Sequence, residues 1–151
     1  YDENRILSSV LNGANLDLVY SDVSKKSNDT LLIKVGRSIH KVPNTINTMS
    51  YTSVNDEGNM DVFQLDISTL ESFFVCQLPI GIQDHIWLDE ATLLIGSLDK
   101  IFLLDLFKNR DWKLVADLSK YNIKDISRLA LSPDCSKLAM VAQLKPEILN
   151  K

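Results

Sequence analysis

The sequence predicts an all-β fold assembled from repeated units of four antiparallel strands, and three observations predict it. The apolar runs are short, rich in β-branched and aromatic residues, and bounded by Asn, Asp, Gly and Ser. They recur at a fixed interval. Helical spacing fits poorly: Asp111 to Tyr121 can be forced into a helix, but Trp112-Lys113-Leu114-Val115-Ala116-Asp117 falls where the repeat requires a fourth strand.

The interval is 44 residues. Leu7-Ser8-Ser9-Val10 falls on Tyr51-Thr52-Ser53-Val54, and Asn15-Leu16-Asp17-Leu18 falls on Asn59-Met60-Asp61-Val62, both 44 apart with no gap across the intervening loop. Thr30-Leu31-Leu32 falls on Phe74-Val75-Cys76, and Thr48-Met49-Ser50-Tyr51 on Thr92-Leu93-Leu94-Ile95, at the same interval. A third copy follows with a shorter turn, Leu98-Asp99-Lys100 in place of Asn55-Asp56-Glu57-Gly58. A partial fourth, from Leu129 to Val141, matches the run that begins at Ile86.

The expected strands follow in order. The first copy opens at a second strand, Ile6 to Val10, then Leu16 to Asp22 and Asp29 to Lys34. The second contains Ser38 to Val42, Thr48 to Val54, Asn59 to Asp66 and Glu71 to Gln77. The third contains Asp84 to Leu88, Thr92 to Ser97, Lys100 to Leu106 and Trp112 to Asp117. The fourth contains Ser127 to Leu131 and Lys137 to Ala142. A period in the forties with four strands per unit is the signature of a β-propeller blade, because stacking such sheets face to face covers both apolar faces of each. A β-sandwich has a similar strand count but does not require the repeat.

The expected blade segments are 6–34, 38–77, 84–117 and 127–142, within a partial propeller spanning 1–144 and followed by a tail at 145–151, where Pro146 would interrupt a strand. That is about three blades. Closed rings use about four to eight. The chain is therefore expected to be part of a larger propeller, or a half-ring completed by a homodimer. Tyr1 in place of Met points to a segment removed or to a piece of something longer.

Leu131-Ser132-Pro133-Asp134-Cys135-Ser136-Lys137-Leu138-Ala139 resembles the S-P-D-G-x-x-[IL]-A repeat of TolB-type, WD-like propellers. Glu57-Gly58-Asn59-Met60-Asp61-Val62-Phe63 resembles the D-G-x-x-D-[IV]-[FY] element of the same family. The resemblance covers nearly the whole chain. It departs from the family at Cys135, where Gly is usual, at Asp89-Glu90, and at Asn44-Thr45-Ile46-Asn47, where the turn motif is lost. It implies a non-enzymatic module that binds a protein or glycan partner in a periplasmic or cell-surface setting. The alternative it leaves open is an accessory propeller of an enzyme, either a prolyl-oligopeptidase-like peptidase or a metal-dependent lyase.

Composition narrows the partner. Net charge is −4, with 16 Lys and Arg against 20 Asp and Glu, which excludes nucleic acid as the main partner. No apolar run approaches the length of a transmembrane segment. No cofactor motif, Gly-x-Ser-x-Gly or His-Glu-x-x-His appears, and no catalytic, cofactor-binding or metal-ligating set is expected. The candidate ligand-binding residues are His40, His85 and Trp87. The two histidines lie 45 apart on first strands, which line a propeller's channel, with Asp84 beside His85 to orient it. Trp87 could stack on a sugar, although Ile86-Trp87-Leu88 also reads as core. Asp17 and Asp61 sit after turns, where a carboxylate accepts backbone N–H groups.

Overall fold

A computed structural model describes residues 5–13, 15–108 and 110–145. Twelve strands are present among these: β1 Arg5–Asn12, β2 Asn15–Asp22, β3 Ser27–Lys41, β4 Thr48–Val54, β5 Met60–Asp66, β6 Ser72–Gln77, β7 Ile86–Trp87, β8 Thr92–Ser97, β9 Lys100–Asp105, β10 Lys113–Asp117, β11 Ile123–Leu131 and β12 Leu138–Leu144. One short 3-10 helix, Ser119–Tyr121, precedes β11. No helix among the described residues is long and apolar enough to cross a membrane. The expected tail beyond Lys145 lies outside the described residues.

The chain forms two compact units, Tyr1–Ile39 with Asn47–Ile80, and His40–Ile46 with Gly81–Lys151. In the second unit the third copy is a four-stranded antiparallel sheet in the order β10-β9-β8-β7, and the fourth is a two-stranded sheet, β11-β12. The two stack face to face. Ile86, Leu94 and Ile101 from one meet Ile126 and Leu129 from the other. Gly96 in β8 marks the closest approach: a Cβ there would run into the Ile126 side chain. Leu93, Leu94 and Ile95 are all buried in succession, which requires cover on both faces of the sheet, since successive side chains point to opposite sides. Each fully buried Leu or Ile contributes about 1.5–3 kcal/mol of transfer free energy.

The first unit departs from the expected boundaries. The strands expected at Asp29 to Lys34 and Ser38 to Val42 are one strand, β3, and the sheet runs β1-β2-β3-β4-β5-β6 without a break. The cause is visible in the sequence. Between Lys34 and Ser38 stand only Val35-Gly36-Arg37, with no Asn, Asp, Pro or Ser to set a turn, and Gly36 does not take the positive φ of a turn glycine. The residues from Ser27 to Val35 pair with β2, and the strand then continues beside β4. Leu18, Val35, Tyr51 and Leu65 form this unit's core, drawn from both copies. Two smaller shifts also occur. The expected first strand at Asp84 to Leu88 is confined to β7, and the strand expected from Ser127 begins at Ile123.

The repeat extends to a feature that residue types alone do not disclose. In each of the first three copies the fourth strand carries one unpaired residue at the same place. Thr30 and Leu32 pair with Val19 and Leu18, skipping Leu31. Phe74 and Cys76 pair with Phe63 and Val62, skipping Val75. Leu114 and Ala116 pair with Phe102 and Ile101, skipping Val115. Bulges bend an edge and make it a poor template for a further strand. β6 and β10, the outer edges of their sheets, need this protection because Phe73, Phe74, Leu114 and Val115 are all exposed.

Aspartates close the turns that follow the third strands. Asp22 Oδ1 accepts the Ser24 hydroxyl at 2.6 Å and the Lys25 N–H at 3.1 Å. Asp66 Oδ1 accepts the Ser68 N–H at 2.8 Å, and Asp105 Oδ1 accepts the Phe107 N–H at 3.0 Å. Asp134, in the Ser-Pro-Asp turn, accepts the Ser136 N–H at 3.2 Å and its hydroxyl at 2.8 Å. Asp17 and Asp61 each accept an Asn side chain from across the preceding turn, Asn12 at 2.7 Å and Asn55 at 3.1 Å.

These bonds favour the carboxylate. The Ser24 hydroxyl holds the Asp22 pKa down to about 2, and the Ser132 and Ser136 hydroxyls do the same for Asp134. The folded-state pKa values lie below the unfolded value of 3.8, so their stabilisation is full above that value and is lost as pH falls through about 2. Unfolding free energy from urea titrations is therefore expected to decline between about pH 4 and pH 2. The double variant Asp22→Asn, Asp134→Asn should flatten that decline while lowering stability at pH 7. An unchanged slope would show that other groups govern it.

Candidate functional site

The candidate residues meet in the second unit because the first strands of successive copies lie side by side. His40 is near the end of β3, His85 immediately precedes β7, and Trp87 lies within β7. The two imidazoles are 5.1 Å apart and edge to face. The His85 ring is 6.3 Å from the Trp87 ring, again edge to face. All three residues expected to form a site are thus brought into one row.

Asp84 anchors the row. Its Oδ1 is 3.5 Å from His40 Nε2, and its Oδ2 accepts the Leu129 backbone N–H at 3.4 Å. One carboxylate thereby ties together first strands from three successive copies. The sequence suggested that Asp84 orients its neighbour His85; the carboxylate also lies in contact range of His40 and accepts the backbone N–H of Leu129 in β11. The residue types gave no signal for the Leu129 contact, because it uses a backbone amide.

Exposure grades along the row. The His40 side chain is 30% exposed, whereas the residue exposures of His85 and Trp87 are 1% and 5%. Burial dominates the chemistry of His85. It pushes the imidazole pKa down to about 3, the neighbouring His40 adds to the depression, and the Asp84 carboxylate opposes it. His85 is therefore neutral throughout the physiological range and serves as an aromatic core group, not a proton carrier. Trp87 presents little ring face to solvent. His40, beside the Asp84 carboxylate, is the member of the row that solvent reaches. Among the described residues no three His, Cys, Asp or Glu side chains gather in a way that could hold a metal ion. Neither Cys76 nor Cys135 is in a disulfide.

A buried neutral histidine links stability to pH. Its folded pKa lies below the unfolded value of 6.5, so its stabilisation is present above that value and is lost as pH falls toward about 3. Unfolding free energy should fall by up to about 1.4 kcal/mol per pH unit below about pH 6. His85→Phe should remove this component and leave the steeper carboxylate transition at lower pH. In NMR titration the His85 ring signals should stay constant from pH 8 to 5; a midpoint near 6.5 would contradict the burial.

No protein-family model matches the sequence, and no curated protein is similar to it. Among solved structures the fold is similar to the crystal structure of TolB from Acinetobacter baumannii, with a TM-score of 0.58 and 19% sequence identity over 95% of this chain. The matched region is 36% of the length of that chain. At this identity the likeness concerns architecture: the protein has an all-β, TolB-like propeller fold of antiparallel sheets.

Proposed function

We propose that the chain is part of a non-enzymatic propeller that binds a protein or glycan partner in the cell envelope. The observation that carries this reading is the TolB-like fold over 95% of the chain, joined to connecting loops that present large apolar side chains to solvent. Ile46, Ile80 and Phe107 are 86%, 90% and 85% exposed. Rigid sheets holding variable loops are a common means of building a recognition surface. Isolated exposed apolar residues are ordinary, but aromatic and aliphatic anchors of this size supply most of the binding energy when a partner covers them. His40 is the proposed contact from the first-strand row, with His85 and Trp87 supporting it from within the core. A polypeptide partner suits loop tips that carry the aliphatic Ile46 and Ile80 as well as Phe107, because aliphatic side chains offer a sugar no stacking face.

Photo-crosslinking tests this in cells of the source organism. A photoreactive amino acid at Phe107 or Ile80 should give discrete protein adducts in the envelope fraction. Phe107→Asp should reduce binding of the partner so identified by at least about tenfold, the loss of one well-buried anchor. Adducts confined to the cytosolic fraction, or none from any of the three loops, would contradict the reading.

A further inference from the structure

Asn12-Gly13 is the one Asn-Gly step in the sequence. It stands at the tip of the β1-β2 hairpin, where Asn12 pairs with Asn15 in the last rung of the ladder. Both Asn12 and Gly13 are exposed. Gly13 lies beyond that rung with φ +62°, and a Cβ added there would meet nothing within 4 Å. The Gly13 nitrogen therefore approaches the Asn12 side chain without hindrance from a neighbouring side chain, and the rung at a hairpin tip opens at little cost.

Asn12 also holds the hairpin to the rest of its sheet. Its Nδ2 donates to Asp17 Oδ2 at 2.7 Å, and Asp17 Oδ1 accepts the Lys34 N–H at 3.2 Å. Asp17 is 6% exposed, and among the described residues these are the bonds that satisfy it. Lys34 takes a left-handed φ of 57°, so the same carboxylate fixes an uncommon backbone conformation in β3. A buried carboxylate is destabilised when it loses a donor, and more so when a like charge takes the donor's place.

The second copy supplies an internal comparison. Asn55 Nδ2 donates to Asp61 Oδ1 at 3.1 Å, the same two residue types joined across the corresponding turn. There, however, Asp56 follows the asparagine, and Asn55 Oδ1 accepts the N–H groups of Glu57 at 3.1 Å and Asn59 at 3.0 Å. That side-chain amide is held at both ends, and the residue after it carries a side chain. Asn12 Oδ1 has no such bond among the described residues, and the residue after it is glycine.

We propose that Asn12 is a site of self-modification, at which attack by the Gly13 backbone nitrogen converts the side-chain amide to a carboxylate. The Gly13 nitrogen gives its proton to solvent hydroxide and bonds to Asn12 Cγ. The Cγ–Nδ2 bond breaks, and Nδ2 takes a proton from water and leaves as ammonia. Water then opens the cyclic imide at either carbonyl. The product at position 12 is aspartate, or isoaspartate with the main chain running through Cβ. Either product sets a second carboxylate against Asp17 where the Asn12 donor stood, and isoaspartate also lengthens the main chain at a short turn. The modified hairpin loses its hold on Asp17 and, through it, on Lys34 of β3.

The test ages the whole 151-residue protein in mildly alkaline buffer and follows its peptides by mass spectrometry, with isoaspartate resolved by chromatography. Conversion at Asn12 should run at least about tenfold faster than at Asn55. Asn12→Gln, whose longer side chain closes a ring far less readily, should abolish it. Amide exchange in β1 and β2 of the aged protein should be at least about tenfold faster than in fresh protein, with β8 and β9 as the reference. Asn12→Asp should reproduce that loss of protection without ageing and lower the urea midpoint. No conversion at Asn12, or equal conversion at Asn12 and Asn55, would overturn the site. Conversion that leaves β1 and β2 as protected as before, with Asn12→Asp as resistant to urea as the parent, would overturn its consequence for the hairpin.

Discussion

A twisted sheet with apolar side chains on both faces is unstable in water until something covers each face. That constraint organises this molecule. Leu93 and Ile95 point to one side of β8 and Leu94 to the other, yet each is at most 7% exposed. No single sheet can bury all three. In the second unit the cover for Leu94 is β11, brought so near that the chain uses glycine at position 96. In the second unit the repeat meets this requirement directly: the sheet of the third copy and the strands of the fourth cover one another.

The strand pattern was legible because it is written in local chemistry. Apolar runs between Asn, Asp, Gly and Ser turns placed β4, β5, β8, β9 and β10 to within a residue or so. The passage from the first copy to the second was not, because Val35-Gly36-Arg37 contains no turn and the boundary became the interior of β3. The recurrent bulge at Leu31, Val75 and Val115 was also hidden. A bulge is a matter of register between two strands, and these three residues are ordinary strand formers. The turn aspartates lay between these cases. Their positions suggested backbone capping, and the Asn12 and Asn55 partners became visible only once the hairpins were closed.

The first-strand row was legible in part. An interval of 45 residues put His40 and His85 at nearly matching positions on first strands, and their rings are 5.1 Å apart. Their inequality was not foretold, because exposure depends on what the other copies cover. One imidazole is buried and held neutral, and the other meets solvent beside Asp84. Asp84 joins three first strands through one side-chain and one backbone contact, so the row works as a structural seam whatever it meets at its exposed end. The outer strands take the opposite course, with exposed apolar residues defended by bulges.

Gly96 offers the most direct measurement of the central claim. Valine favours strands where glycine weakens them, so an account based on local strand preference predicts that Gly96→Val stabilises β8. Face-to-face stacking predicts the reverse, because the new side chain would collide with Ile126. Urea unfolding should show a loss of about 1–3 kcal/mol, the cost of overpacking a filled interface, with faster amide exchange in both β8 and β11. Unchanged or increased stability would contradict the stacked-sheet account.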